Sequence, residues 1–127
     1  MPEFHPEHTP TDADAMTQGY LSCAEWLLDE NVDRANIRGW SLAAQRQAAA
    51  DCKDFAEANA TDLDAYCAIS GRTMNSAGHD FWLSRNGHGA GFFDRGCDPV
   101  FDRLQNAAQI CGTCDVWVTA IKLLAFE

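Results

Sequence analysis

Apolar residues recur at helical spacing through the first half of the chain, and the period changes in the second half. Tyr20, Ala24 and Leu27 fall at i, i+4 and i+7, joined by Leu21 and Leu28, the stripe of an amphipathic helix. Thr11-Asp12-Ala13-Asp14 supplies its start, a hydroxyl followed three residues later by a carboxylate, and the helix is expected to run to near Glu30. A connector from Asn31 to Trp40 leads to Ser41, which caps a second helix. There Ala48, Cys52 and Phe55 form the inward stripe, with Gln45, Arg46, Asp51, Asp54 and Glu57 more exposed. Its many alanines favour the helix and allow close approach of a neighbour. Thr61-Asp62-Leu63-Asp64 repeats the capping pattern, and Leu63, Tyr66 and Cys67 predict a short third helix stopping before Gly71.

After an expected loop over 72–79 the pattern shortens. Residues 80–85 and 88–94 read as two strands around Asn86-Gly87, because Asn-Gly readily supplies the two positive φ angles of a tight hairpin turn. In that register Arg85 faces His88, Phe81 faces Phe92, and His79 falls opposite Asp94; a wider loop through Gly89 would shift the pairing. Asp98-Pro99 opens a further helix, with Phe101, Leu104, Ala108 and Cys111 inward and Gly112 at its end. Asp115 to Phe126 reads as a last strand. The expected fold is α+β: three N-terminal helices, a β-hairpin, a helix and a C-terminal strand, forming a small antiparallel sheet packed on helices. Residues 1–10, with three prolines and no period, are expected to be a loose tail before a single domain over 11–127.

Composition narrows the class. A hydrophobic fraction of 46% suits a globular chain, and no apolar run approaches the ~20 residues of a membrane helix. Residues 1–8 lack the positive start and apolar stretch of a secretory signal, so a cytosolic location is expected, with the six cysteines reduced and no structural disulfide. The net charge is −10. Residues 1–69 hold thirteen acids against four bases, and residues 70–127 six against five. Such a field disfavours direct nucleic-acid binding and favours a protein partner with a basic surface; without a long apolar run, no membrane partner is expected either.

Candidate chemistry concentrates between Gly78 and Arg95. On a displayed hairpin, Trp82, Arg85, Asn86, His88, Asp94 and Arg95 would form a binding surface. As a catalytic set, His79 with Asp94 could make an oriented base, with His88 beside them and Arg85 holding an anion, for example of a nucleotide substrate. No serine or cysteine nucleophile accompanies them in sequence, and solvated charges around a turn would also explain the composition. Cys111-Gly112-Thr113-Cys114 offers half a zinc site or a redox pair, but no second ligand pair stands at a standard spacing. No metal and no cofactor are expected. Asp29, Glu30, Asp33, Asp51, Asp54 and Glu57 form an acidic face that either keeps the chain soluble or imitates the phosphates of nucleic acid.

The run His79-Asp80-Phe81-Trp82-Leu83, Arg85-Asn86-Gly87-His88-Gly89-Ala90-Gly91-Phe92 and Asp94-Arg95 resembles the shared block of a family of small phage and prophage proteins. Gly19-Tyr20-Leu21-Ser22-Cys23-Ala24 with Trp26 is similar to that family's N-terminal helix, and Asp115-Val116-Trp117-Val118 to its closing strand. The Cys111/Cys114 pair departs from it. The resemblance implies a phage protein acting in the host cytosol, of a kind that often antagonises host defence as anti-CRISPR or anti-restriction proteins do. The implied partner is a bacterial defence protein or complex with a basic surface, bound by a monomer or homodimer.

Overall fold

A computed structural model describes residues 14–28 and 32–126. The expected tail, the Thr11 start, Asp29 and Glu30 lie outside the described residues. Asp14 caps the first helix, α1 (Ala15–Trp26), its carboxylate accepting from Thr17 N at 2.7 Å. Ser41 caps α2 (Leu42–Ala58) in the same way, with Ala44, Ala48, Cys52 and Phe55 buried along one stripe. Gln45, expected outside, is buried and donates to the Trp40 carbonyl at 3.0 Å. The third helix, α3 (Ala60–Ser70), starts from Asn59 and ends at Gly71.

The expected hairpin does not exist. Residues 74–85 form a fourth helix, α4 (Met74–Arg85), capped by Thr73, whose hydroxyl accepts from Ser76 N. The α+β expectation is therefore corrected to a mostly helical fold with only a two-stranded antiparallel sheet at the C-terminal end. Packing decided the competition between strand and helix. Ala77, Phe81, Ser84 and Arg85, with Asp80 between, lie on the inward side of one helix. Gly78 and Gly19 let α4 and α1 cross backbone to backbone: a Cβ on Gly78 would strike the Met16 carbonyl, and one on Gly19 the Asn75 carbonyl. A two-stranded ribbon offers no comparable burial on both sides.

Asn86-Gly87 terminates α4 instead of turning a ribbon. Asn86 Nδ2 donates to the Trp82 carbonyl at 3.0 Å, and Gly87, at φ 66°, gives its N–H to Ser84 O. Positive φ after a helix and positive φ in a hairpin turn call for the same residues. The chain then passes close over α4 at Gly91, whose φ of 141° and contact with Ser84 Oγ leave no place for a side chain, and makes a short 3-10 turn over Phe92–Arg95.

Asp98 and Pro99 begin α5 (Pro99–Ile110), which buries Val100, Phe101, Leu104 and Ala108. Cys111 was expected on that stripe, but it sits past the end of the helix and is exposed. The single C-terminal strand resolves into β1 (Val116–Val118) and β2 (Leu124–Phe126), paired antiparallel with Trp117 opposite Ala125. The core joins all five helices through aromatic rings: Phe55 stacks on Phe81 at 4.2 Å, Tyr20 meets Phe81 at 5.3 Å and Trp82 edge-on at 5.2 Å, and Tyr66 meets Phe92 at 5.4 Å and Phe101 of α5 at 6.2 Å. Among the described residues no helix is long and apolar enough to cross a membrane.

Candidate functional site

Much of the block from His79 to Arg95 lies in the interior. Asp80 points inward from the middle of α4 with its side chain 1% exposed. Arg95, carried over it by the 3-10 turn, grips it in a fork: Nη2 to Oδ1 at 2.6 Å and Nε to Oδ2 at 2.9 Å. Tyr66 of α3 donates its hydroxyl to Asp80 Oδ2 at 2.7 Å. Burial first, and this bond to the carboxylate second, push the Tyr66 hydroxyl pKa far above its ordinary value. The phenol therefore stays a donor.

One turn on, Arg85 ties four segments together. Its side chain is 8% exposed. Nη1 donates to the Tyr20 hydroxyl of α1 at 2.9 Å and to Asp51 of α2 at 3.0 Å. Nε and Nη2 donate to the carbonyls of Gly112 (2.7 Å) and Cys111 (3.1 Å), which follow α5. The guanidinium also lies over the Phe81 ring at 5.5 Å. Asn86 fixes the next residues by accepting from Cys114 N at 2.7 Å.

The predicted surface is thus dispersed. Trp82 and Arg85 are buried. Asn86 and Arg95 are half-buried and bonded within the fold, and Asp94 accepts from Gly91 N. Nor do His79, His88, Asp94 and Arg85 converge as a catalytic set. His79 lines a shallow groove with Cys23, Trp26 and Leu83, where burial holds its pKa below the ordinary value despite the opposing pull of Asp80. His88 lines a different groove, of about 330 Å³, with Leu27, Trp82, Asn86 and Val116.

The acidic face is thinner than its sequence suggests. Asp51 turns inward to Arg85, while Asp33, Asp54 and Glu57 are exposed, Glu57 within 3.7 Å of Lys53. Cys111 and Cys114 are free thiols; desolvation raises the pKa of both, partly offset by Arg85, although the Cys111 residue as a whole is exposed. Among the described residues no group of three or more His, Cys, Asp or Glu side chains is placed to hold a metal ion.

The structural roles of Tyr20, Tyr66 and Asp51 escaped sequence reasoning. A signal for them was present: Asp80 and Ser84 share the inward side of a helical period with Ala77 and Phe81, and a buried charge calls for a partner. The partner, Arg95, lay fifteen residues away, just past a segment read as strand. The chain matches no known family model, no curated protein and no solved structure.

Proposed function

We propose that this chain is a non-enzymatic, acidic binding protein that occupies a basic surface of a partner, and that the partner is a bacterial defence protein or complex met in the host cytosol. The defence partner rests on the resemblance to small phage proteins. The acidic mode of binding rests on one observation of charge placement. Buried Arg85 and half-buried Arg95 are each matched by a carboxylate, Asp51 and Asp80. Each interior pair is neutral, so the formal charge of −10 is carried by the other groups.

Glu25, Asp54, Glu57, Asp64, Asp102 and Asp115 are among the exposed carboxylates. A surface of one sign speeds encounter with a surface of the other and loses that advantage in salt. An enzyme built on His79, His88, Asp94 and Arg85 would need them around one cavity, and nothing in their placement favours that reading.

The test is capture of partners from a host lysate with active defence systems, at low and at high salt. Capture of a nucleic-acid-binding defence complex at low salt, lost at high salt, is expected. Capture that is indifferent to salt would contradict the reading.

A further inference from the structure

Among the described residues the C-terminal ribbon has one free edge. Leu124 commits both backbone groups to the segment before α2: its N–H donates to Gly39 O at 2.8 Å, and its carbonyl accepts from Ser41 N at 2.9 Å. Its cross-strand partner Val118 therefore sits at a non-hydrogen-bonded pair of the ladder. Thr119, whose N–H donates to Leu123 O at 2.8 Å, fits the same alternation, which places Val116 with Val118. The N–H and C=O groups of both valines point away from β2, and among the described residues nothing meets them. Such an edge is a template for another strand.

Three features beside the edge define what would pair there. Trp117, between the two valines, is 47% exposed. The groove of about 330 Å³ at the start of β1 is mixed, with apolar walls from Leu27, Leu28, Trp82 and Val116 beside polar Asn86 and Thr113, and no β2 residue lines it. Asp115 is its carboxylate, beside His88 and the Cys114 thiol, so its formal charge is negative, like that of the molecule. That overall charge opposes a second copy and favours a basic segment.

We propose that the free edge of β1 receives an extended, lysine- or arginine-bearing segment of the partner protein as a third strand, with an apolar side chain in the adjoining groove and a cation against Asp115. This deepens the acidic-binder reading and rests on it. Backbone groups of Val116 and Val118 supply the pairing, the groove selects alternate side chains, and charge selects the partner.

The probe is the peptide acetyl-Lys-Val-Lys-Val-Lys-Val-amide, titrated into the 15N-labelled full chain, with its glutamate counterpart as control. Saturable shifts of the Val116 and Val118 amides and of Ala24 and Leu27 are expected with the lysine peptide, and at least tenfold weaker binding of the glutamate peptide. Val118→Pro removes an outward donor that the β1–β2 ladder does not use, and Asp115→Lys reverses an exposed charge; each is expected to weaken binding tenfold or more.

Shifts confined to the surroundings of Asp54 and Glu57 would overturn the edge proposal and leave the acidic-binder reading intact. Equal binding of both peptides would overturn the charge reading itself. A mass that doubles with concentration, with β1 amides perturbed, would assign the edge to a second copy, and no binding of either peptide would overturn the proposal.

Discussion

Asp80→Asn tests whether the shared block is an interior support. The substitution keeps the shape of the side chain and removes its charge. The fork from Arg95 then meets an amide whose NH2 cannot accept, and the guanidinium loses its counter-charge. Removing one member of a buried ion pair costs about 3–5 kcal/mol. Arg95 is 21% exposed and can recover some hydration, which points to the lower end, ~3 kcal/mol.

For a chain of this size that corresponds to a fall in Tm of roughly 10 °C. Tyr66→Phe removes a single neutral donor to the same carboxylate and should cost about 1–2 kcal/mol. Thermal and urea unfolding followed by circular dichroism would measure both. A cycle with Arg95→Gln should show the two ends of the pair coupled by more than ~1 kcal/mol. An Asp80→Asn protein within ~1 kcal/mol of the parent, with no coupling to Arg95, would refute the reasoning and return both residues to the list of surface candidates.

Gly78→Ala should destabilise the fold by about 1–3 kcal/mol or prevent folding, because the α1–α4 crossing has no room for a methyl group; the urea midpoint is the measure. Asp51→Lys should lower Tm sharply by setting a cation against Arg85, whereas Asp54→Lys/Glu57→Lys should leave Tm nearly unchanged and slow association with a basic partner at low salt. The pKa of His79 is depressed on folding, so its contribution to stability is present above its unfolded pKa of ~6.5 and is lost as pH falls through and below that value. Denaturation midpoints at pH 7.5 and 5.5 should differ less in His79→Gln than in the parent. Exposed Cys97 should react first with a disulfide reagent, while Cys23 and Cys52, pushed up by burial to about 11 and 12, should react only on unfolding.

The starts of α2 and α5 were legible because a cap is a local device, whereas Thr61, expected to cap the third helix, lies inside α3, which starts from Asn59 with no side-chain cap. Ser41 and Asp98 each place one oxygen on an orphan N–H two or three residues ahead, and the structure uses both. The stripes of α2 and α5 were legible for the same reason, since burial along a helix repeats within the sequence window that displays it. The stretch from Met74 to Phe92 was not. Asn86-Gly87 serves a helix end as well as a hairpin turn, and the residues that decided between them, Gly19 and the Met16 carbonyl, lie about sixty positions away.

The site residues followed the fold. Once the hairpin was assumed, Arg85 and Arg95 stood on a displayed ribbon and looked like recognition groups. On a helix and a 3-10 turn the same side chains turn inward: Arg85 holds α1, α2 and the loop after α5, and Arg95 grips Asp80, which also accepts from Tyr66 of α3. Negative surface charge was legible throughout. Its division was not, because the inward turn of Asp51 depends on a partner thirty-four residues away.

The most direct test of the central claim, a neutral paired interior beneath a working acidic surface, is the salt dependence of partner capture by the parent and by Asp54→Lys/Glu57→Lys, with folding of both checked by circular dichroism. Capture of a basic, nucleic-acid-binding complex at low salt, its loss at high salt, and slower capture by the folded variant are expected. Capture that is equal for both proteins and unaffected by salt would contradict the claim.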